Sequence, residues 1–237
     1  MSPFQPSDLL NETAVANQAF FAHLLQRARA HAFFTHPFLS AASDALPDSP
    51  ARVTFMLTSF YQVVHPFTGL LCSLAARAPS LKSRFVLMDN VFEELGRGDF
   101  GAAHPSLYLS MLASIGVRRH TAESANVLPA ARRVQKHLAN VVERTPFAVA
   151  CAVLASAEAT IPASFPVLAQ RAQRAFPDLD MRFFEQHGQR DEGHANDAAM
   201  LFAIHARPSH WLRTEHEVTL DLDLRVGLLD AWMAAAH

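Results

Sequence analysis

Residues 146–170, PFAVACAVLASAEATIPASFPVLAQ, contain a single ionisable acid or base, Glu158. A run of that length is long enough to cross a bilayer. Its composition points elsewhere: Ala, Ser and Thr outnumber Leu and Ile, Pro162 and Pro166 interrupt it, and neither a basic cluster nor an aromatic belt flanks it. The stretch is therefore read as the central, fully buried helix of an all-α domain, and no membrane partner is expected. A carboxylate inside such a helix must be paired or neutralised, because burying a lone charge is costly. Glu158 is the first residue that asks for a chemical explanation.

The rest of the 237 residues fits this reading. Half are hydrophobic and only 18% are charged, below the ~25% usual in soluble domains. Disorder is excluded by the apolar content, and linker-rich or collagen-like architecture by a glycine count of 8. Thirteen histidines are the main candidates for polar work in so weakly charged a chain. A net charge of −2 and a pI near 6.7 argue against a nucleic-acid partner. Lys82 and Lys136 are the only lysines, which limits the sites for a catalytic one. Cys72 and Cys151 cannot build a disulfide framework or a Cys-rich zinc site, so a reducing cytoplasm is expected. The N-terminal MSPFQPSDLL lacks the pattern of a secretory signal, and residues 1–10 are read as a flexible lead-in to one domain over 1–237.

Helical periodicity dominates, and no segment alternates like a strand. Helices are predicted over Asn11–Phe34, Ala51–Ala78 with a kink at Pro66, Ser80–Leu95, Pro105–Ile115, Thr121–Val142, the buried run from Pro146, Asp180–Ala206, and Trp211 onward. Thr145 is read as the N-cap of the buried helix, with Pro146 at its first position. Ser43–Pro50 is a polar connection.

Gly96-Arg97-Gly98-Asp99-Phe100-Gly101 satisfies the dinucleotide pattern G-x-G-x-x-G, but a helical sequence precedes it where a strand is required, so a nucleotide site is rejected. The strongest local signal is His187-x3-Asp191-x2-His194. At about 100° per residue these three side chains share one helical stripe and make half of a metal site. Glu94 closes one helix and His104 opens the next across a glycine-containing turn, so a chain reversal would bring both to one centre. Glu93 competes with Glu94 but points about 100° away, so only one of them is expected to face the core. Glu94, Glu158, Asp191, His104, His187 and His194 together form a mixed carboxylate–imidazole set suited to iron or manganese. Helix bundles build dinuclear sites of this kind in their cores, and two divalent ions would offset the buried acids.

The segments DNVFEELGRGDFGAAHPSLY (89–108), AEATIPASFP (157–166) and FFEQHGQRDEGHA (183–195) resemble the haem-oxygenase-like diiron oxidases and oxygenases. The likeness runs from about His36-Pro37-Phe38 to the last helix. It implies an all-α, single-domain haem-oxygenase-like bundle of seven or eight helices that binds no haem. It also implies two irons held by Glu94, His104, Glu158, His187, Asp191 and His194, with O2 as co-substrate and manganese as a substitute ion. The implied substrate is a small molecule, amino-acid-derived or fatty-acid-like, undergoing N-oxygenation or oxidative C–C or C–H cleavage in a biosynthetic pathway. An external electron donor and a homodimer are compatible with the family. A branch that makes p-aminobenzoate carries a lysine about ten residues after the mid-chain Glu; Leu168 and Ala169 stand there instead.

His65 is a candidate to support the site from outside the ligand set, and Arg97 and Arg190 are candidate anchors for a substrate carboxylate. Three alternatives accompany the diiron reading. A metal-free cofactor-biosynthesis oxidase or thiaminase-like hydrolase of the same fold would need a different pocket, and the hydrolase a nucleophile such as Cys151. A haem enzyme would need an axial ligand such as His23, His31 or His36. A non-catalytic iron-binding bundle would need acidic entry routes that the sequence does not display.

Overall fold

In the computed structural model the described residues are 11–40, 49–126 and 128–235, without the side chains of 188–192. They contain helices and turns and no strand. The helices are α1 (Glu12–Ala28), α2 (Pro50–Val64), α3 (Phe67–Ala76), α4 (Leu81–Glu94), α5 (His104–Ser114), α6 (Arg119–Ser124), α7 (Pro129–Arg144), α8 (Phe147–Glu158), α9 (Ile161–Ala175), α10 (Arg182–His205) and α11 (Trp211–Ala234).

Every residue of α8 from Ala148 to Glu158 is buried. Its alanines let neighbouring backbones approach closely, and α10, α11 and α7 pack around it. The stretch Phe147–Ala175 has a mean hydropathy of 1.5 over its most apolar window, enough for a membrane span, yet 72% of that window is buried inside the bundle. Its apolar faces meet protein. Around this axis α7 buries Ala131, Val134, Leu138, Val141 and Val142 at helical spacing. Asn17 ties α1 to the far end of α10: its amide donates to the Ala203 and Ala206 carbonyls, and its oxygen accepts from the Trp211 indole. The two carbonyl bonds are made in the interior, where an unmet polar group would cost about 1–3 kcal/mol.

Prolines divide the bundle into more and shorter helices than the sequence pattern predicts. Ala51–Ala78 is not one kinked helix but α2 and α3, separated at His65-Pro66. Pro66 has no N–H for the Gln62 carbonyl, and the Gln135 side-chain amide of α7 donates to that carbonyl instead. The predicted 121–142 helix likewise separates into α6 and α7, with Pro129 as the first residue of α7. The buried run breaks after Glu158 and resumes at Ile161-Pro162. Thr145 does not cap α8: its hydroxyl donates back to the Val141 carbonyl and closes α7. The first helix stops at Ala28 rather than Phe34, and Ser49 caps α2 so that Pro50 opens it. Residues 1–10 and most of the predicted 43–50 connection lie outside the described residues.

Candidate metal centre

Glu94 is the last residue of α4 and is buried. The turn that follows depends on Gly96, whose φ is +74° and where a Cβ would stand 2.6 Å from the backbone of both Ala102 and Ala103. Only glycine accepts both the left-handed angle and the close approach. The chain reverses here between two helices, as the rejection of a phosphate loop requires, and delivers His104 to the first position of α5.

His104 Nδ1 lies 2.8 Å from Glu94 Oε2. The contact departs from ideal hydrogen-bond geometry, yet it is close enough for the imidazole to favour the ionised acid. An imidazole nitrogen and a carboxylate oxygen at this separation are also spaced like neighbouring ligands, since bonds of about 2.1 Å at right angles place ligands about 3 Å apart.

From α10, His187 brings its ring centroid to 4.3 Å from that of His104, and its Nδ1–H donates to the Phe183 carbonyl at 2.8 Å. That bond fixes the tautomer and leaves the Nε2 lone pair free, as in metal-binding histidines held by a carbonyl behind them. Burial, reinforced by His104, pulls the His187 pKa down to about 4, so the imidazole is neutral and ligand-ready at neutral pH. His194, two turns further along the same helix, places Nδ1 3.7 Å from Glu94 Oε1 and Nε2 2.9 Å from Glu93 Oε2. Burial by itself pushes the Glu94 carboxyl up. The imidazole of His104, with those of His187 and His194, outweighs this and holds it below the usual range.

Glu158, the buried acid of α8, lines the same cavity as Glu94 and His187. Asp191 belongs to α10 between the two histidines, but its side chain lies outside the described residues, as does that of Arg190. Among the described residues no three His, Cys, Asp or Glu side chains close into a ready-made cage. The donors stand in pairs around a common region, and the chemistry of the set fits hard or borderline divalent ions.

Of the adjacent acids Glu94 alone is fully buried, as expected, while Glu93 stays at the margin, ion-paired with Arg97 and bonded to His194. Two sequence expectations change here. His65 is exposed, stacks on Tyr61 with centroids 5.1 Å apart, and is not brought to the cluster. Arg97 points to Glu93 rather than into the cavity, whose wall carries Arg225 instead. Arg225 is held by Asp221, with Nε 2.6 Å from Oδ2. The Asp221-x3-Arg225 spacing was the available signal, but it reads equally as a surface ion pair.

The cavity has about 100 Å³ of free space beside Glu94, Glu158 and His187. Phe60, Leu138, Phe165, Leu228 and Trp232 make it largely apolar. The hydroxyls of Thr160 and Ser164 at its edge are already donated to the Ala157 and Thr160 carbonyls.

An all-α bundle of haem-oxygenase-like fold with a buried acid–imidazole cluster defines the class of protein. The chain belongs to the iron-containing redox enzyme family, whose model matches residues 54–215. No curated protein matches it. Among solved structures it is similar to a CadD-like protein of unknown function from Nostoc punctiforme PCC 73102, at 15% identity and a TM-score of 0.77, over 94% of this chain and 99% of that one. A domain of unknown function with a haem-oxygenase-like fold from Shewanella denitrificans OS217 aligns at 18% identity and TM-score 0.68, over 95% and 94% of the two chains. A TenA homologue from Pseudomonas syringae pv. tomato DC3000 aligns at 17% and 0.67, over 94% and 93%. At these identities the likeness is one of fold.

Proposed function

We propose that the chain is a non-haem diiron enzyme that uses O2 to oxidise or oxygenate a small molecule, with Glu94, His104, Glu158, His187, Asp191 and His194 as the iron ligands. The observation that carries this reading is the ionised, buried Glu94 faced by three imidazoles, with no arginine or lysine against it among the described residues. Two ferrous ions would supply the electrons for O2 reduction and the oxidising power passed to the substrate.

The protein's own groups prepare that chemistry. The Phe183 carbonyl and the Glu93 carboxylate each hold one nitrogen of a histidine, and so select which nitrogen faces the cluster. The aromatic and leucine walls keep bulk water from the reacting centre. Arg225, oriented by Asp221, is the cation available in the wall to meet an acidic head group.

Two observations weigh against the hydrolase and haem alternatives. Cys151 is buried outside the cavity lining, and burial holds its thiol well above the usual range, which does not suit a nucleophile. His36 accepts from the Phe38 N–H at one nitrogen and contacts Asp230 with the other, while His31 contacts Asp223. Neither is poised as an axial ligand.

Anaerobic titration with Fe(II) tests the assignment. Saturation at two equivalents followed by O2 uptake is expected, with loss of binding in Asp191→Ala and His194→Ala. Saturation at one equivalent or none, or unchanged binding in those variants, would overturn it. Phenylacetate is expected to raise the melting temperature of the iron-loaded protein more than phenylacetamide does, and Arg225→Gln to abolish the difference. Equal effects in the wild type would remove Arg225 from its anchoring role.

A further inference from the structure

Helix α4 has two apolar faces. One carries Val86, Leu87 and Val91 into the core together with Glu94. The other carries Leu81, Phe85, Met88, Phe92 and Leu95, exposed by 80, 56, 47, 48 and 47%, with Phe100 of the following turn exposed by 77%. The stripe advances by four, three, four and three residues, the a/d spacing of a helix that packs along another helix. With roughly 150–250 Å² per large side chain, these six present on the order of 700 Å² of apolar surface. The largest patch on a typical monomer is about 300–600 Å², and specific stable interfaces bury about 600–1,000 Å² from each partner.

We propose that this face is the interface of a homodimer, in which α4 packs antiparallel on α4 of a second copy across a two-fold axis near Met88. A two-fold interface needs one patch complementary to itself. The stripe meets that condition: Leu81 at one end faces Leu95 and Phe100 of the second copy, Phe85 faces Phe92, and Met88 lies against its own equivalent. Opposed helix dipoles favour this orientation over a parallel one. The interface also covers Leu95 and Phe100 in the reversal between Glu94 and His104, so association steadies the loop that joins two of the candidate ligands.

Sedimentation equilibrium of the full chain at micromolar concentration is expected to give twice the chain mass. Phe85→Glu with Phe92→Glu is expected to give a monomer with unchanged helical circular dichroism, whereas Leu212→Glu, an equally exposed site elsewhere, leaves the dimer intact. In a Cys72→Ser background, Met88→Cys is expected to cross-link most chains into disulfide dimers under mild oxidation. A wild-type monomer, as would follow if another segment of the same chain covered the stripe, overturns the proposal. So does a dimer that survives the double glutamate substitution, or one in which Met88→Cys fails to cross-link.

Discussion

Two buried polar clusters lie in the interior, and they are balanced differently. Between α7 and α11, Glu217 and Asp221 are almost fully buried, and each is bound by an arginine one turn away on its own helix, Arg213 and Arg225, with nitrogen–oxygen distances of 2.6 Å. His137 stands 3.6 Å from Glu217. At the end of α4, Glu94 is as deeply buried but is faced by His104, His187 and His194. The first cluster carries its positive charge covalently. The second sets imidazoles against the acid, groups that also ligate metals, so an ion from solution can share in balancing it.

The sharpest way to break this contrast is to remove one charge from each side. Arg225→Ala leaves fully buried Asp221 without its cation, and an uncompensated buried charge costs about 3–5 kcal/mol, read as a lower urea midpoint. Glu94→Ala in metal-free protein, which removes a carboxylate met by imidazoles rather than by a fixed guanidinium, is expected to lower the urea midpoint less than Arg225→Ala does, while abolishing iron uptake. Equal losses in the two variants would mean that the clusters are not different in kind.

Acid should separate them next. The unfolded chain binds a proton at His187 near pH 6.5, whereas the folded chain resists until about pH 4. Folding stability contributed there is present above pH 6.5 and is lost as pH falls to 4, by about 3 kcal/mol in the metal-free protein. Glu94 acts in the same direction, since its lowered pKa contributes stability above the usual carboxyl range that is lost on protonation. Urea melts at pH 7, 5.5 and 4.5 should show the decline, and His187→Gln should flatten it.

Smaller effects come from the supports. Gly96→Ala is expected to cost about 1–3 kcal/mol through its left-handed angle and the clash with Ala102 and Ala103, and to weaken iron binding by shifting His104 away from Glu94. Glu93→Gln should leave stability nearly unchanged but lower iron affinity about 10- to 100-fold, since His194 loses the group that orients it.

Much of this was legible in the chain. The isolated acid in an alanine-rich run placed Glu158 within a buried helix, though not at the break that ends it, and Gly96, Gly98 and Pro105 announced the reversal that joins Glu94 to His104. Helical spacing put His187 and His194 on one buried face. The structure shows what local patterns could not separate. An apolar stripe at helical spacing reads alike whether it faces in or out, which hid the second face of α4. Arg225 looked like one more arginine until α11 was packed against the cavity. Pro66 predicted a bend, but whether a bend becomes a break depended on a distant glutamine reaching the Gln62 carbonyl.

The hydrogen bond from His187 to the Phe183 carbonyl has a calorimetric consequence. Since it leaves the imidazole neutral and its free nitrogen unprotonated, and since Glu94 is already ionised, neither group releases a proton when an ion arrives at neutral pH. The heat these two ligands contribute to metal uptake should therefore be the same in phosphate as in Tris, buffers whose ionisation enthalpies differ widely.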